Sequence, residues 1–235
     1  PIQARERGKK VASMMVIGNG RLITQDAANP YIENGAVAVE GEVIAEVGTT
    51  SALRARYPDA AFVDARERVI MPGLINTHTH IYSSFARGMS LEQPQPNRSF
   101  LEILENMLWR MDKALTLEDT KYSAYATGLE SLKCGVTTLF DHHASPRHIT
   151  GSLRTIADAT QDIGLRSVLC YEVSDRDGKD IAMEGIRENI SFIDEAARDR
   201  GDTLHGLLGL NAPFTLSPET LEKAVAAMGS RDAGY

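Results

Sequence analysis

The 235-residue sequence is poor in the residues that mark specialised protein classes. Two cysteines and one tryptophan exclude a disulfide-stapled miniprotein. Ordinary contents of glycine, apolar and charged residues exclude a collagen-like or disordered chain. The sequence has no apolar run of the roughly 18 residues that a membrane-spanning helix needs, so no membrane partner is expected. Residues 1–13 are basic and carry no following apolar region, which predicts a flexible extension.

Basic charge is also in deficit, because 25 lysines and arginines stand against 32 aspartates and glutamates and give a net charge of −7. Nucleic acids and anionic membranes bind basic surfaces, so neither is predicted as a partner. Cys134 and Cys170 both lie in apolar stretches, which predicts two buried thiols in a reducing compartment, with a disulfide between them as the alternative. We therefore expect a cytoplasmic protein.

Residues 14–70 have the pattern of a small β domain. Short runs of alternating apolar residues are typical of half-buried strands joined by tight turns. They occur at 14–24, 36–40, 42–47, 61–63 and 68–71, with one short helix at 51–57. These runs predict either a small sheet or half of a sandwich, and we take the region as the N-terminal part of a β-sandwich.

After residue 70, apolar runs alternate with long amphipathic segments. Strands are predicted at 69–77, 136–141, 166–173 and 204–211, and helices at 99–115, 117–134, 151–163, 181–199 and 217–229. This alternation is typical of βα units around a parallel sheet. The predicted fold class is therefore α/β: the first half of a (β/α)8 TIM-type barrel over residues 71–235, preceded by the small β-sandwich domain.

Only half of a barrel fits in this length, because a complete one takes about 250 residues. The four predicted strands would leave open edges, which favour aggregation. We expect the other half of the barrel to be supplied by residues beyond Tyr235 or by a second polypeptide, within a homo-oligomer.

Two histidines give the clearest chemical signal. His78 and His80 end the first barrel strand, and residues two apart in a strand point to the same side. Barrel active sites lie at the carboxyl ends of the strands. A His-x-His pair at this place therefore predicts a site for one divalent metal ion.

The residues around the pair resemble a known family. Residues 69–80, V-I-M-P-G-L-I-N-T-H-T-H, resemble the opening signature of the amidohydrolase superfamily. The wider stretch, with D-H-H-A-S-P at 141–146 and A-P-F-T at 212–215, is similar to its branch of aminohydrolases, deaminases and triazine chlorohydrolases. The resemblance runs from about residue 14 to residue 235. It implies that His78 and His80 are two metal ligands, and that the other ligands and the catalytic proton-transfer residue lie beyond Tyr235.

The resemblance also favours a single ion. Two-metal relatives usually carry a carboxylated lysine at the end of strand four, and residues 204–215 contain no lysine. The expected cofactor is one divalent ion, Zn²⁺, which lowers the pKa of a bound water to about 7.

Three further residues are candidate substrate contacts. Asn211 stands where many relatives carry a histidine. Its side chain keeps a hydrogen-bond donor and an acceptor but cannot titrate. The alternative to a substrate contact is that Asn211 only ends the strand. Of His142 and His143, at most one faces the barrel mouth, and we take His142 as the candidate. Asp112 roughly matches an acidic substrate contact of adenosine-type deaminases, with a solvated helix face as the alternative.

The leading functional prediction is a metal-dependent hydrolase of non-peptide C–N bonds. It is an aminohydrolase that releases ammonia from a small nitrogen heterocycle by means of a zinc-activated water. The alternatives are a cyclic amidase or a chlorohydrolase on the same scaffold, or a catalytically inactive metal-binding or assembly module.

Overall fold

Two separate sheets organise the chain, which the computed structural model describes over residues 14–89, 97–199 and 201–235. The chain divides into two units between Pro72 and Gly73. The extension predicted for residues 1–13 lies outside the described residues. Among the helices described, none is long and apolar enough to cross a membrane.

The first unit is a five-stranded sheet with one helix. Its elements are β1 (Met14–Ile23), β2 (Tyr31–Glu40), β3 (Val43–Thr49), α1 (Thr50–Arg56), β4 (Ala61–Asp64) and β5 (Val69–Ile70). β2 lies antiparallel between β1 and β3, whereas β4 and β5 both pair in parallel with β1. Over the described residues up to Pro72 there is no second sheet, so this unit is one sheet with a helix packed on it and not a complete sandwich.

The second unit is a parallel sheet with helices on one face. Its strands are β6 (Leu74–Thr79), β7 (Val136–His143), β8 (Arg166–Tyr171) and β9 (Leu204–Gly206), in the order β6-β7-β8-β9. The helices are α2 (Phe100–Ile103), α3 (Trp109–Asp112), α4 (Leu117–Lys133), α5 (Ser152–Asp162), α6 (Lys179–Ala196) and α7 (Pro218–Met228). All neighbouring strands run parallel. The prediction of an α/β chain with four successive units of a barrel is confirmed.

Local sequence signals account for several helix ends. The Thr116 side chain accepts a hydrogen bond from the Asp119 amide, and the Asp119 carboxylate accepts one from the Thr116 amide, which forms a capping box on α4. Ser217 caps α7, whose first residue is a proline. Gly135 and Gly164, with φ of 78° and 82°, follow α4 and α5 and turn the chain toward the next strand.

Three predicted boundaries are wrong. The strand predicted over 69–77 is broken at Pro72, which has no amide to donate; β5 belongs to the first sheet and β6 to the second. The helix predicted over 99–115 is interrupted by a π-helical turn at Leu104–Leu108, which inserts an extra residue and rotates those that follow. The strand predicted over 204–211 is regular only in β9 and continues as a single bridge from Leu210 to Val173.

The prediction for the cysteines is half correct. Both thiols are free, and Cys170 is buried, but Cys134 is exposed. Cys134 occupies the C-terminal cap of α4, where the chain turns away from the packed helix face.

Side chains of the second sheet alternate between two faces. Leu139, Leu169 and Tyr171 lie in the core that also contains side chains of α4, α5 and α6. His142 and Cys170, which are register partners, therefore lie on the opposite face, which we call the inner face. The inner face is the face that a closed barrel would enclose.

Candidate metal and substrate site

His78 and His80, at the end of β6, bring their imidazoles together. Their Nε2 atoms lie 3.2 Å apart. Two nitrogen ligands of a tetrahedral zinc ion, each at about 2.0–2.1 Å, lie about 3.3 Å from one another. The pair therefore fits one ion held by both Nε2 atoms. A cleft of about 670 Å³, lined also by Arg87 and Glu130, makes both imidazoles accessible from solvent.

The backbone of His142 fixes the orientation of His80. Nδ1 of His80 lies 2.9 Å from the carbonyl oxygen of His142. Because a carbonyl oxygen can only accept, Nδ1 carries the proton and Nε2 presents its lone pair toward His78. Metal-binding histidines usually have such a contact on their second nitrogen, which fixes the tautomer and the ring orientation.

A β-bulge lies within β6 at the pair. Asn76 pairs with Leu139 and Thr79 pairs with Asp141, so three steps along β6 match two steps along β7. Such an extra residue re-aims the side chains around it and is common beside active sites. The Asn76 side chain accepts a hydrogen bond from the His78 amide at 3.2 Å. The simple alternation assumed from the sequence is therefore interrupted within this strand.

Asp141 anchors the backbone that follows the pair. It is 1% exposed, and its Oδ1 accepts a hydrogen bond from the Ile81 amide at 2.7 Å. Burial raises the pKa of Asp141 to about 7. Asp141 and His142, which are consecutive in β7, thus hold the backbone of Ile81 and the side chain of His80.

His142 and His143 lie on opposite faces, as strand alternation requires. His143 is fully buried on the helix side, where its Nε2 lies 2.9 Å from the Ser145 hydroxyl, and burial lowers its pKa to about 3. His142 lies on the inner face, and burial lowers its pKa to about 4. Both imidazoles are therefore neutral at pH 7.

A buried group of charges, which we call the charge cluster, comprises Asp112, Glu172 and Arg176. The Arg176 nitrogens lie 2.6 and 3.4 Å from the two Asp112 oxygens. Arg176 also lies 3.5 Å from Glu172 Oε1 and stacks on Trp109, 5.0 Å from the ring centre. Burial raises the pKa of Asp112, against the effect of Arg176, and raises that of Glu172 to about 7.

The solvated helix face considered for Asp112 is wrong. Asp112 is 1% exposed, because it follows the π-helical turn that rotates α3. Both of its carboxylate oxygens face Arg176. The structure therefore joins Asp112 to the strand ends through Arg176 and Glu172.

Asn211 lies beyond β9, next to the extension of β8. Its amide donates to the Val173 carbonyl at 3.0 Å. Leu210 packs toward the helix-side core that contains Val173, so alternation places Asn211 on the inner face. Asn211 Oδ1 accepts a hydrogen bond from the Ala212 amide at 2.7 Å. Asn211 therefore ends the strand, as its alternative role requires, and its Nδ2 remains as a donor.

Four candidate residues thus lie at the ends of three strands of one sheet, with His78 and His80 at the end of β6, His142 on β7 and Asn211 after β9. Over the residues that the structure describes, no group of three or more His, Cys, Asp and Glu side chains could hold a metal ion. The pair accordingly offers two ligands.

Glu172 and Arg176 were missed by the sequence reasoning. Glu172 directly follows an apolar barrel strand, and a charged residue at that place is a signal for a site. Arg176 carries no comparable local signal, because its partner Asp112 is 64 residues away.

Comparison with known proteins finds relatives of both units. The Amidohydrolase family model matches residues 69–234, and the Imidazolonepropionase-like composite domain of bacteria matches residues 35–60. The chain is 32% identical over 203 residues to the 5-methylthioadenosine/S-adenosylhomocysteine deaminase of Desulforudis audaxviator, covering 85% of this chain and 43% of that protein. It is 29% identical over 192 residues to the 5'-deoxyadenosine deaminase of Methanococcus maripaludis, covering 80% and 42%. The chain thus spans less than half the length of these relatives.

Solved structures share the fold. An atrazine chlorohydrolase from Arthrobacter aurescens complexed with zinc has a TM-score of 0.73 at 23% identity, over 93% of this chain and 51% of that one. A guanine deaminase from C. acetobutylicum with bound guanine has a TM-score of 0.75 at 15% identity, over 94% and 52%. At such identities the likeness concerns the fold alone. The family model, however, covers most of the chain, so the resemblance in the sequence is confirmed and the chain belongs to the amidohydrolase family.

Proposed function

We propose that this chain is part of a zinc-dependent aminohydrolase that acts on a small nitrogen heterocycle. The reaction replaces the amino group on an amidine-type ring carbon by a carbonyl oxygen, consuming one water and releasing one ammonia. The observation that carries the proposal is the convergence of the His78 and His80 Nε2 atoms at the carboxyl end of a parallel strand. Membership of the family and the identity to proteins named as deaminases support it.

In this proposal the residues of this chain bind the metal ion, orient its ligands and line the substrate site. His78 and His80 would bind the ion, with the carbonyl of His142 keeping His80 in the required tautomer. When bound, a zinc ion lowers the pKa of a water to about 7 and so makes hydroxide available at neutral pH. His142 and Asn211 line the substrate side of the mouth. The oxygens of Asp112 face Arg176, so Asp112 would position the Arg176 side chain.

In this proposal the remaining parts of the active site and of the barrel come from outside residues 1–235. They include the other metal ligands, the proton-transfer residue and the second half of the barrel, from the same polypeptide or a second one, within a homo-oligomer. The edge strand β6 supports this, because Leu74 and Ile75 are 47% and 61% exposed and apolar side chains favour a partner surface. The free thiols Cys134 and Cys170 favour the cytoplasm.

The test measures bound metal and ammonia release on the same samples of the full-length protein. The substrate panel contains aminopurines, aminopyrimidines, nucleosides, a cyclic amide and a chlorotriazine. His78→Ala and His80→Ala should each lose the zinc and the activity. His205→Ala is the matched control, since that histidine is exposed and pairs with Asp202 at the surface.

Each result decides between the candidate functions. Ammonia release that disappears with the zinc supports the aminohydrolase. Release of chloride or ring opening alone supports the chlorohydrolase or the cyclic amidase. One bound zinc without turnover on any substrate supports the inactive metal-binding module. Undiminished zinc content in both histidine variants would refute the metal site.

A further inference from the structure

His143 is the residue of the D-H-H sequence at 141–143 to which the metal and substrate site gives no role. It is fully buried on the helix side, where a leucine or a phenylalanine would pack without any polar cost. Its Nδ1 has no hydrogen-bond partner in the described part of the chain, and a buried nitrogen in that state is unfavourable. A histidine at this place therefore needs a reason other than the filling of the core.

Ser145 fixes the orientation of the His143 ring. The Ser145 hydroxyl has one proton, which it donates to the carbonyl oxygen of His148 at 2.9 Å. It must therefore accept from His143, whose Nε2 lies 2.9 Å away. The neutral His143 ring accordingly carries its proton on Nε2. Ser145 is itself fully buried, so the ring is attached to a support that lies inside the core.

Two tyrosine rings pack against His143. The ring centre of Tyr82 lies 5.9 Å from that of His143, with an interplanar angle of 79°. The ring centre of Tyr171 lies 6.0 Å away, with an angle of 68°. These are edge-to-face contacts of the kind that aromatic pairs prefer. Tyr82 is 4% exposed and Tyr171 is 2% exposed, so the surrounding core confines both rings.

Tyr82 extends this set of contacts to the metal site. It belongs to the short helical turn Ile81–Ala86 that follows β6, and its ring centre lies 5.7 Å from that of His80, with an angle of 66°. The single hydrogen bond from His80 Nδ1 to the His142 carbonyl still allows the imidazole to rotate about that bond. The Tyr82 ring beside His80 opposes this rotation and so keeps Nε2 directed toward His78.

We propose that Tyr82 and His143 are positioning residues of the metal site, which hold the His80 imidazole in the orientation that binds the ion. His143 acts through Tyr82, and Tyr82 acts on His80. The inference rests on the metal site of the proposed function and adds the residues that preorganise one of its ligands. A preorganised ligand loses less rotational freedom when it binds, and removal of such a support usually lowers metal affinity about 10- to 100-fold.

The proposal gives one role to the whole D-H-H sequence. Asp141 and His142 hold the first two residues of the segment 80–82, and His143 contacts the third. Three consecutive residues of β7 thus hold the three consecutive residues that follow β6.

The test is the zinc affinity of the metal-free, full-length protein, measured by competition with a chromophoric chelator so that no turnover is involved. Tyr82→Leu and His143→Leu should each weaken zinc binding about tenfold or more. Tyr82→Phe keeps the ring and should bind zinc as the native protein does. The visible spectrum of bound Co²⁺, which depends on ligand geometry, should change in Tyr82→Leu and stay native in Tyr82→Phe.

A double variant tests whether His143 acts through Tyr82. Tyr82→Leu combined with His143→Leu should bind zinc no more weakly than Tyr82→Leu alone, because the effects of residues in one chain of contacts are not additive. If His143→Leu does not fold, Ser145→Ala takes its place, since it removes the same hydrogen bond and keeps the ring. Ser145→Ala should show a smaller loss of zinc affinity.

The control variant is Phe192→Leu. Phe192 lies on α6 in the core that also contains Tyr171, and it is 2% exposed. Its variant should lose stability in urea but keep the native zinc affinity. Native affinity in Tyr82→Leu, additive losses in the double variant, or an equal loss in Phe192→Leu would each overturn the inference.

Failure of this inference is distinguishable from failure of the proposed function. Zinc affinity that depends on His78 and His80 but on neither Tyr82 nor His143 supports the metal site and overturns the positioning role. Zinc affinity that follows Tyr82 and His143 in a protein that releases no ammonia supports the positioning role and refutes the aminohydrolase. A native protein that binds no zinc overturns both.

Discussion

Replacing Glu172 by glutamine should stabilise the folded protein, and more so at pH 8 than at pH 5. Burial raises the pKa of this carboxyl from 4.5 to about 7. A carboxyl with a raised pKa in the folded state takes up protons on folding. Its contribution to stability is therefore fully present below the unfolded-state pKa and is lost as the pH rises through about 7. Glutamine does not titrate, so the variant should escape this loss.

The magnitude follows from the two pKa values. One pKa unit corresponds to about 1.4 kcal/mol, so the complete shift is worth about 3 kcal/mol, of which about 2 to 3 kcal/mol falls between pH 5 and pH 8. Asp141 also has a pKa of about 7 through burial. It titrates in both proteins, so its effect cancels in the difference between them.

The assay is urea denaturation of the full-length native protein and of Glu172→Gln at pH 5, 6.5 and 8. Glu222→Gln, at an exposed position of α7, controls for the loss of one negative charge. The difference in unfolding free energy between native protein and Glu172→Gln should widen steadily with pH, while Glu222→Gln follows the native curve. Parallel curves for all three proteins would refute the reasoning.

Three further results are expected. Arg176→Met should destabilise the protein by about 3–5 kcal/mol in urea at pH 8, because Asp112 is left as an unpaired buried charge. Adding Asp112→Leu should restore most of the lost stability. Unchanged stability of Arg176→Met would contradict this role of the charge cluster. A thiol reagent at pH 8 should modify Cys134 quickly and Cys170 only after unfolding, since Cys170 is buried and burial raises its pKa to about 12; two fast thiols would contradict the structure. The isolated 235-residue chain should associate or aggregate in size-exclusion chromatography through its open sheet edges, whereas a monodisperse monomer with a cooperative thermal transition would show that the sheet needs no partner.

Local patterns predicted most of the fold, because most element ends are determined by residues close in sequence. The capping box of Thr116 and Asp119 and the left-handed Gly135 act within a few residues, and such signals can be read directly. The break between β5 and β6 has a local signal in Pro72, which has no amide to donate, but the assignment of the two strands to different sheets could not be read in this way. That assignment depends on distant residues: a side chain at Gly73, for example, would lie 2.2 Å from Thr137.

The same distinction applies to the site. His78 and His80 were found because their spacing of two residues is itself the signal. The charge cluster was not found, because Asp112 meets Arg176 only after a π-helical turn has rotated α3 and a strand has brought the distant loop beside it. Neither event leaves a pattern within a short window. Long-range electrostatic contacts are therefore the part of this site that sequence reasoning cannot supply.

Two contacts from β7 to the residues at the end of β6 make the ability to bind a metal ion depend on the pairing register of the two strands. The Asp141 carboxylate holds the Ile81 amide and the His142 carbonyl holds His80 Nδ1, and both contacts exist in a single alignment of the two strands. A slip by one residue would turn the imidazoles to the other face. An ion that binds both imidazoles would then stabilise the correctly aligned sheet alone. Zinc supplied during refolding should accordingly favour the correct strand alignment over shifted ones and raise the yield of native protein.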